Sequence, residues 1–260
     1  MDWGMHNRLA GIVDPVARRC IMLAVDHGYF QGPTSGLERP GETIAPLLEY
    51  ADALMLTRGI LRTQVSPEHR IPIVLRVSGG TSVLKDDLSN EGITVSVEDA
   101  IRVNASCLAL SVFVGAAHEK QTLMNLARLC DEGHRFGIPV LAVTAVGKEM
   151  TRDARYLGLA CRIAAELGAQ LVKTYYCDGF DKVVHGCPVP VLIAGGKKIE
   201  ERDALTLAYR AIQSGAVGVD MGRNIFQSRW PVPMIRAVRA IVHDHRTDAD
   251  AWDLFQGLIR

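Results

Sequence analysis

Lys173 stands in Ala-Gln-Leu-Val-Lys-Thr-Tyr-Tyr (169–176), an apolar, β-favouring run that follows the helix-ending Gly168. The chain has 29 basic residues, of which seven are lysines, at 85, 120, 148, 173, 182, 197 and 198. Only Lys173 has an apolar pair before it and an aromatic pair two places after. An ammonium is costly to bury, and burial favours the neutral amine, which is the nucleophile of Schiff-base chemistry. Lys173 is therefore a candidate for imine formation with a carbonyl substrate. A lysine that snorkels to a strand end, or pairs with a carboxylate, fits the same local sequence.

Other groups suit the same chemistry. Asp26 and His27 close the apolar run Ile-Met-Leu-Ala-Val, and strand alternation lets only one of them point inward. If Asp26 faces the lysine, it assists the proton transfers that form and hydrolyse an imine. Its charge also holds the ammonium in place, so loss of that proton falls to burial or to a cation such as Lys148. Gly195-Gly196-Lys197-Lys198 and Gly222-Arg223 each combine glycine with a base. Glycines let backbone N–H groups approach an anion and the base supplies charge, so a phosphorylated ligand is expected at Gly195, Gly196, Gly222 and Arg223. Tyr175 shares the parity of Lys173 and either lines the same cavity or packs. Thr144, near another strand end, and Lys148 just beyond it are further candidates to line the site. Arg58 and Arg76 fit either anion binding or structural ion pairs.

These groups need a frame. Eight apolar runs read as strands, at 20–27, 53–57, 71–77, 107–114, 139–146, 170–176, 189–194 and 216–221. Helical stretches separate them, clearest at 119–136, 151–167, 200–214 and 233–243, with a short one at 97–104 and a long polar loop at 78–92. Near-continuous apolar strands are covered on both faces. Eight of them, alternating with helices over 260 residues, predict one α/β domain, a closed (β/α)₈ TIM barrel spanning residues 1–260. Such barrels build their sites at the carboxyl ends of the strands and hold phosphate in the loops after strands seven and eight. The two glycine-plus-base loops fall in those two places.

Composition removes other classes. With 29 acidic and 29 basic residues, the chain has no electrostatic footprint for nucleic acid. No apolar segment reaches the length of a membrane span, and the N-terminus lacks a signal-peptide pattern, so a cytoplasmic protein is expected. Six cysteines without a Cys-x-x-Cys read as reduced thiols, and His243 and His245 point to different helix faces, so no metal is expected.

Five long segments resemble the DhnA-type class I aldolase family: 23–33 (Leu-Ala-Val-Asp-His-Gly-Tyr-Phe-Gln-Gly-Pro), 54–62 (Leu-Met-Leu-Thr-Arg-Gly-Ile-Leu-Arg), 172–176 (Val-Lys-Thr-Tyr-Tyr), 188–198 and 218–228. The resemblance implies a (β/α)₈ barrel, Lys173 as the Schiff-base residue, Asp26 as an active-site carboxylate, and phosphate at Gly195, Gly196, Gly222 and Arg223. It also implies a homo-oligomer, a homodecameric ring. Within the family the chain is most similar to the branch that cleaves 3-hydroxy-5-phosphonooxypentane-2,4-dione with coenzyme A as co-substrate in autoinducer-2 breakdown. Family aldolases carry Tyr-Pro-Arg-Gly after the fifth strand, where this chain has Thr144-Ala145-Val146-Gly147. Loss of that phenol argues against ordinary aldol cleavage. A class I fructose-bisphosphate aldolase and a non-catalytic phospho-ligand barrel are the alternative readings.

Overall fold

The computed structural model describes residues 2–146 and 151–260. Eight parallel strands close into a barrel: β1 (Cys20–Ala24), β2 (Ala53–Thr57), β3 (Ile73–Arg76), β6 (Cys107–Val114), β7 (Val140–Val146), β8 (Leu171–Tyr175), β9 (Val191–Ala194) and β10 (Gly218–Met221). Two further strands, β4 (Ser78–Gly79) and β5 (Gly92–Ile93), form a small antiparallel pair outside it. The order round the ring is β1-β10-β9-β8-β7-β6-β3-β2, the sequential winding of a (β/α)₈ barrel.

Alternation along the strands explains where the site lies. Met22, Met55, Val74, Ala109, Leu141, Leu171 and Leu192 turn inward and form an apolar floor, continued below by Cys20, Cys107 and Ile12. Two residues further along β3, β6 and β8, on the same face, come Arg76, Ser111 and Lys173. A period of two thus sets a polar layer directly above an apolar one. The outer faces of the strands pack under the helices Glu119–Phe136, Ala154–Glu166, Glu201–Gln213 and Pro231–Val242.

Several boundaries depart from the expected ones. The first strand ends at Ala24, not at residue 27, because the chain turns there into a short helix, Gly28–Gln31. The long loop at 78–92 is tied at its ends by β4 and β5, and its last residues carry the buried Glu91. Besides short helices in the loops, two longer helices among the described residues lie outside the expected set. Trp3–Ile12 is capped by Asp2, which accepts from the Met5 N–H, and its Ile12 plugs the bottom of the barrel. Asp248–Leu258 opens on a Thr247–Asp250 capping box. Both begin with a polar cap and carry only a faint apolar stripe, so their helical period is weak.

Asp52, just before β2, fastens the Pro231–Val242 helix to the barrel base. Its carboxylate accepts from the Ile21 N–H at 2.7 Å and meets His243 Nε2 at 2.6 Å and Arg239 at 3.3 Å. Burial pushes this carboxyl up, but the His243 and Ile21 hydrogen bonds outweigh it and hold the group below its ordinary value.

The barrel closes where β10 meets β1. A Cβ on Gly218 would sit 1.8 Å from the Cys20 carbonyl oxygen, so no side chain fits without parting the strands. Gly218→Ala is expected to destabilise the protein by about 3 kcal/mol or more. Urea unfolding midpoints of the two proteins measure this, and equal midpoints would show the seam to be compliant.

Candidate active site

Lys173 projects into a cavity of about 580 Å³ at the carboxyl ends of the strands. Its side chain is only 10% exposed, and its Nζ lies 2.9 Å from Asp220 Oδ2 and 4.0 Å from Met55 Sδ. An amine resting on a thioether and facing one carboxylate is desolvated on every side except the cavity. Asp220 has no exposed side-chain surface. Burial pushes its carboxyl above the ordinary value, an effect that the Lys173 charge opposes without cancelling. The pair can therefore pass a proton between acid and amine, which imine formation requires.

Asp26 does not pair with the lysine. Its Oδ2 accepts from Arg76 Nε at 2.8 Å, in a buried ion pair. Burial alone would raise the Asp26 carboxyl, but Arg76, His27 and Lys173 together hold it below the usual range. Arg76 also donates to Ser111 Oγ at 2.9 Å and lies over the Tyr29 ring, 4.9 Å from its centroid. The Tyr29 hydroxyl donates to Glu91 Oε1 at 2.8 Å, and Ser78 donates to the other Glu91 oxygen at 2.6 Å. Burial pushes the Tyr29 hydroxyl up, so it stays protonated. This network ties β1, β3, β6 and the β4–β5 pair into one rigid wall.

Asp26 and His27 both line the cavity, contrary to the alternation argument, because β1 ends before them and the turn frees both side chains from strand parity. His27 packs edge-on against Phe226 at 5.5 Å, and its Nδ1 is buried without a hydrogen-bond partner among the described residues. Burial lowers its pKa to about 4, despite Asp26 nearby. Gly222 lies so close behind that a Cβ there would meet the Ala24 carbonyl oxygen at 2.1 Å.

Gly195, Gly196, Gly222 and Arg223 line the same cavity. The buried Asn224 joins their two loops, donating from Nδ2 to the Gly195 carbonyl at 2.6 Å and accepting from the Ile199 N–H at 2.9 Å. Arg223 has a buried Nε without a partner among the described residues, and burial lowers its pKa. Lys197 reaches the cavity, whereas Lys198 turns to Glu201 at 3.0 Å. Tyr175 lines the cavity beneath the Arg152 guanidinium, 3.9 Å from its ring centroid. Thr144 lines it too, its hydroxyl donating to the Lys173 carbonyl at 3.2 Å. Lys148 lies outside the described residues. Arg58 stands apart on an exposed pair with Asp99.

Asp220 is the residue that sequence reasoning missed. A carboxylate within the apolar run Ala-Val-Gly-Val-Asp-Met (216–221) is as anomalous as an ammonium in 169–176. Tyr29, Glu91 and Arg152 carried no such signal, since they lie in a short helix, in loops or in mixed-polarity sequence, and Ser111, inside the apolar β6, is small and uncharged. Among the described residues no cluster of His, Cys, Asp and Glu could hold a metal ion, all six cysteines are unpaired, and no helix is long and apolar enough to cross a membrane.

A desolvated lysine beside a buried acid, at the mouth of a closed barrel with glycine loops after its last two strands, defines a class I aldolase-type enzyme. The chain belongs to the DeoC/LacD aldolase family, whose model matches residues 20–228. It is 58% identical, over 98% of its own length and 88% of the relative's, to a 3-hydroxy-5-phosphonooxypentane-2,4-dione thiolase of Yersinia pseudotuberculosis. Among solved structures, an archaeal fructose 1,6-bisphosphate aldolase superposes with a TM-score of 0.83 at 27% identity, over 92% of this chain and 99% of that one. An archaeal fructose-1,6-bisphosphate aldolase with its catalytic lysine covalently bound to the carbinolamine intermediate superposes at 0.81 with 26% identity, over 92% and 99%.

The buried His27 makes a pH prediction. Its folded pKa of about 4 lies below the ordinary 6.5, so on acidification the unfolded chain takes up this proton first. Stability is expected to fall by roughly 3 kcal/mol between pH 6.5 and pH 4 from this group, and the His27→Gln variant should lack that part of the loss. A ring-proton NMR titration checks the cause: His27 stays neutral down to pH 5, and an inflection near 6.5 would contradict it.

Proposed function

We propose that the chain is an acyltransferase that cleaves 3-hydroxy-5-phosphonooxypentane-2,4-dione with coenzyme A, giving acetyl-CoA and dihydroxyacetone phosphate through an imine on Lys173. One observation supports the lysine's role above others: its amine is desolvated by Met55 and paired with Asp220, yet opens to a cavity that also holds the two glycine loops. Near-full-length identity to a thiolase supports the choice of substrate.

In this reading Gly195, Gly196, Gly222 and Arg223 bind the phosphate, which sets the neighbouring ketone against Lys173. The ammonium yields its proton to Asp220, and the amine adds to the ketone carbon. Asp220 returns the proton as water leaves, forming the iminium. Addition of the thiolate to the second carbonyl gives a tetrahedral alkoxide. Its collapse breaks the bond between the acetyl carbon and the hydroxyl-bearing carbon, and the electron pair of that bond neutralises the iminium as an enamine. A proton on the enamine carbon, then water on the regenerated iminium, releases dihydroxyacetone phosphate and the free lysine. Asp26, ionised and held by Arg76, faces the reacting carbons from the opposite side of the cavity. His27, Thr144, Tyr175 and Lys148 are lining residues in this scheme. No metal takes part. The reading includes autoinducer-2 breakdown in the cytoplasm, by a homo-oligomer of this one-domain chain, decameric on the family resemblance.

The absence of a phenol at position 144 supports thiolysis, since an acyl acceptor removes the need for the proton shuttle of aldol cleavage. A fructose-bisphosphate aldolase is the second reading, favoured by the solved relatives and by the two phenols, Tyr29 and Tyr175, that line the cavity. Release of dihydroxyacetone phosphate and glyceraldehyde 3-phosphate from fructose 1,6-bisphosphate, without acetyl-CoA from the dione, would establish it instead.

Borohydride added with the phosphorylated dione is expected to leave a reduced adduct on the peptide containing Lys173, and an unmodified peptide would remove the covalent step. Lys173→Ala should lower acetyl-CoA formation by at least about 10³-fold. Asp220→Asn should lower kcat by about 10²-fold with a smaller change in KM for the dione, because the acid acts on proton transfer rather than binding.

A further inference from the structure

A second cavity, of about 550 Å³, opens on the same end of the barrel. The loops after β1, β2 and β3 wall it, and its sides are largely apolar, with Pro33, Leu37, Pro40, Ile60 and Val95. Asp26, Tyr29 and Arg76 line both this cavity and the one that holds Lys173. The two spaces thus adjoin along these three polar residues.

The ring order shows which end of a substrate faces that boundary. Phosphate in the loops after β9 and β10 lies diametrically across the barrel from β3 and β6, four places round a ring of eight. Lys173, on β8, captures the ketone next to the phosphate-bearing carbon. The rest of the substrate, with the second carbonyl, then extends away from the phosphate towards β3 and β6, where Arg76 and Ser111 stand. A thiol that attacks this carbonyl must arrive from that side, since the other side is filled by the substrate's own phosphate.

The second cavity has the chemistry of a neutral, extended arm rather than of an anion. Its charged lining residues are spoken for: Arg76 by Asp26, and Arg58 by Asp99. Glu38 lines it as well, its carboxylate accepting from the Gly36 N–H, which would repel a phosphate inside. At the outer rim, Arg58 and Arg62 share the single carboxylate of Asp99, which leaves one positive charge at the surface.

Resting on the thiolase reading above, we propose that this cavity is the acceptor channel: it receives the pantetheine arm of the thiol co-substrate, leaves the nucleotide phosphates at the Arg58–Arg62 rim, and brings the sulfur to the Asp26–Arg76–Tyr29 boundary that both cavities share. As the carbon–sulfur bond forms, the sulfur's proton passes to Asp26, the carboxylate that faces both cavities. The same proton then goes to the enamine carbon, so the carboxylate is restored and no outside base is needed. The entry of acceptor and phosphorylated substrate by separate openings also keeps the charged nucleotide away from the phosphate loops.

Gly59 provides the test. It lines the channel, it lies near the start of the helix Arg58–Gln64, and a Cβ there meets nothing within 4 Å, so a large side chain can enter the space without displacing backbone. Gly59→Phe is expected to raise KM for coenzyme A at least tenfold, while KM for the phosphorylated dione and the yield of borohydride adduct on Lys173 stay within twofold. An unchanged KM for coenzyme A in an enzyme that makes acetyl-CoA overturns the channel alone. No acetyl-CoA from the unsubstituted enzyme overturns the thiolase reading and the channel with it. Should Gly59→Phe not fold, amide hydrogen exchange of the unsubstituted protein with desulfo-coenzyme A decides: slowed exchange at residues 57–60 and 94–95 supports the channel, and no slowing there overturns it.

Discussion

The buried pair of Lys173 and Asp220 is the constraint around which the barrel interior is arranged. Each charge alone would face a desolvation penalty of several kcal/mol, and each is tolerable only because the other stands 2.9 Å away. Removing one partner of such a pair leaves an uncompensated charge and destabilises a protein by roughly 3–5 kcal/mol. The pair can exist because the layer beneath is a sealed apolar floor of Met22, Met55, Val74 and Leu171, which excludes water from one side. Among the described residues, the cavity supplies the other approach. An amine in this position faces the space in which a carbonyl substrate would lie.

Around this pair the barrel mouth divides into two halves of different character. The β9 and β10 half is built from backbone: glycines that leave N–H groups approachable, joined through Asn224 so that the two loops hold one spacing. The β1, β3 and β6 half is built from side chains, with Asp26, Arg76, Ser78, Ser111, Tyr29 and Glu91 linked by hydrogen bonds of 2.6 to 3.3 Å. A backbone cradle suits a compact anion whose position must not vary. A fully satisfied side-chain network suits the end where bonds change, since it can stabilise charge without moving. The proposed reaction uses the asymmetry in that order, phosphate first and bond cleavage opposite.

Much of this was legible in the sequence for identifiable reasons. Eight apolar runs separated by amphipathic stretches are strong signals, because burial on both faces admits few polar residues and almost no charged ones. Lys173 stood out on that ground, and the phosphate-type loops stood out because glycine and base recur after consecutive strands. The helices Trp3–Ile12 and Asp248–Leu258 were obscure because capping, rather than a broad apolar stripe, defines them. Asp220 gave the same kind of signal as Lys173 but was hidden by the expectation that Asp26 would serve as the partner carboxylate.

Local chemistry and period-two patterning were thus determined by the chain itself: which residues could be nucleophile, acid or anion contact, and that an (α/β) barrel would carry them at its strand ends. Partnership was decided only by the tertiary structure. Asp26 and Asp220 are 194 positions apart and both lie near Lys173. Which of them pairs with the amine depends on the stagger of β1 against β10 and on Arg76, from β3, claiming Asp26 first. Pairing across a closed sheet is set by register and by competition among distant side chains, and neither quantity is written in any one stretch of sequence.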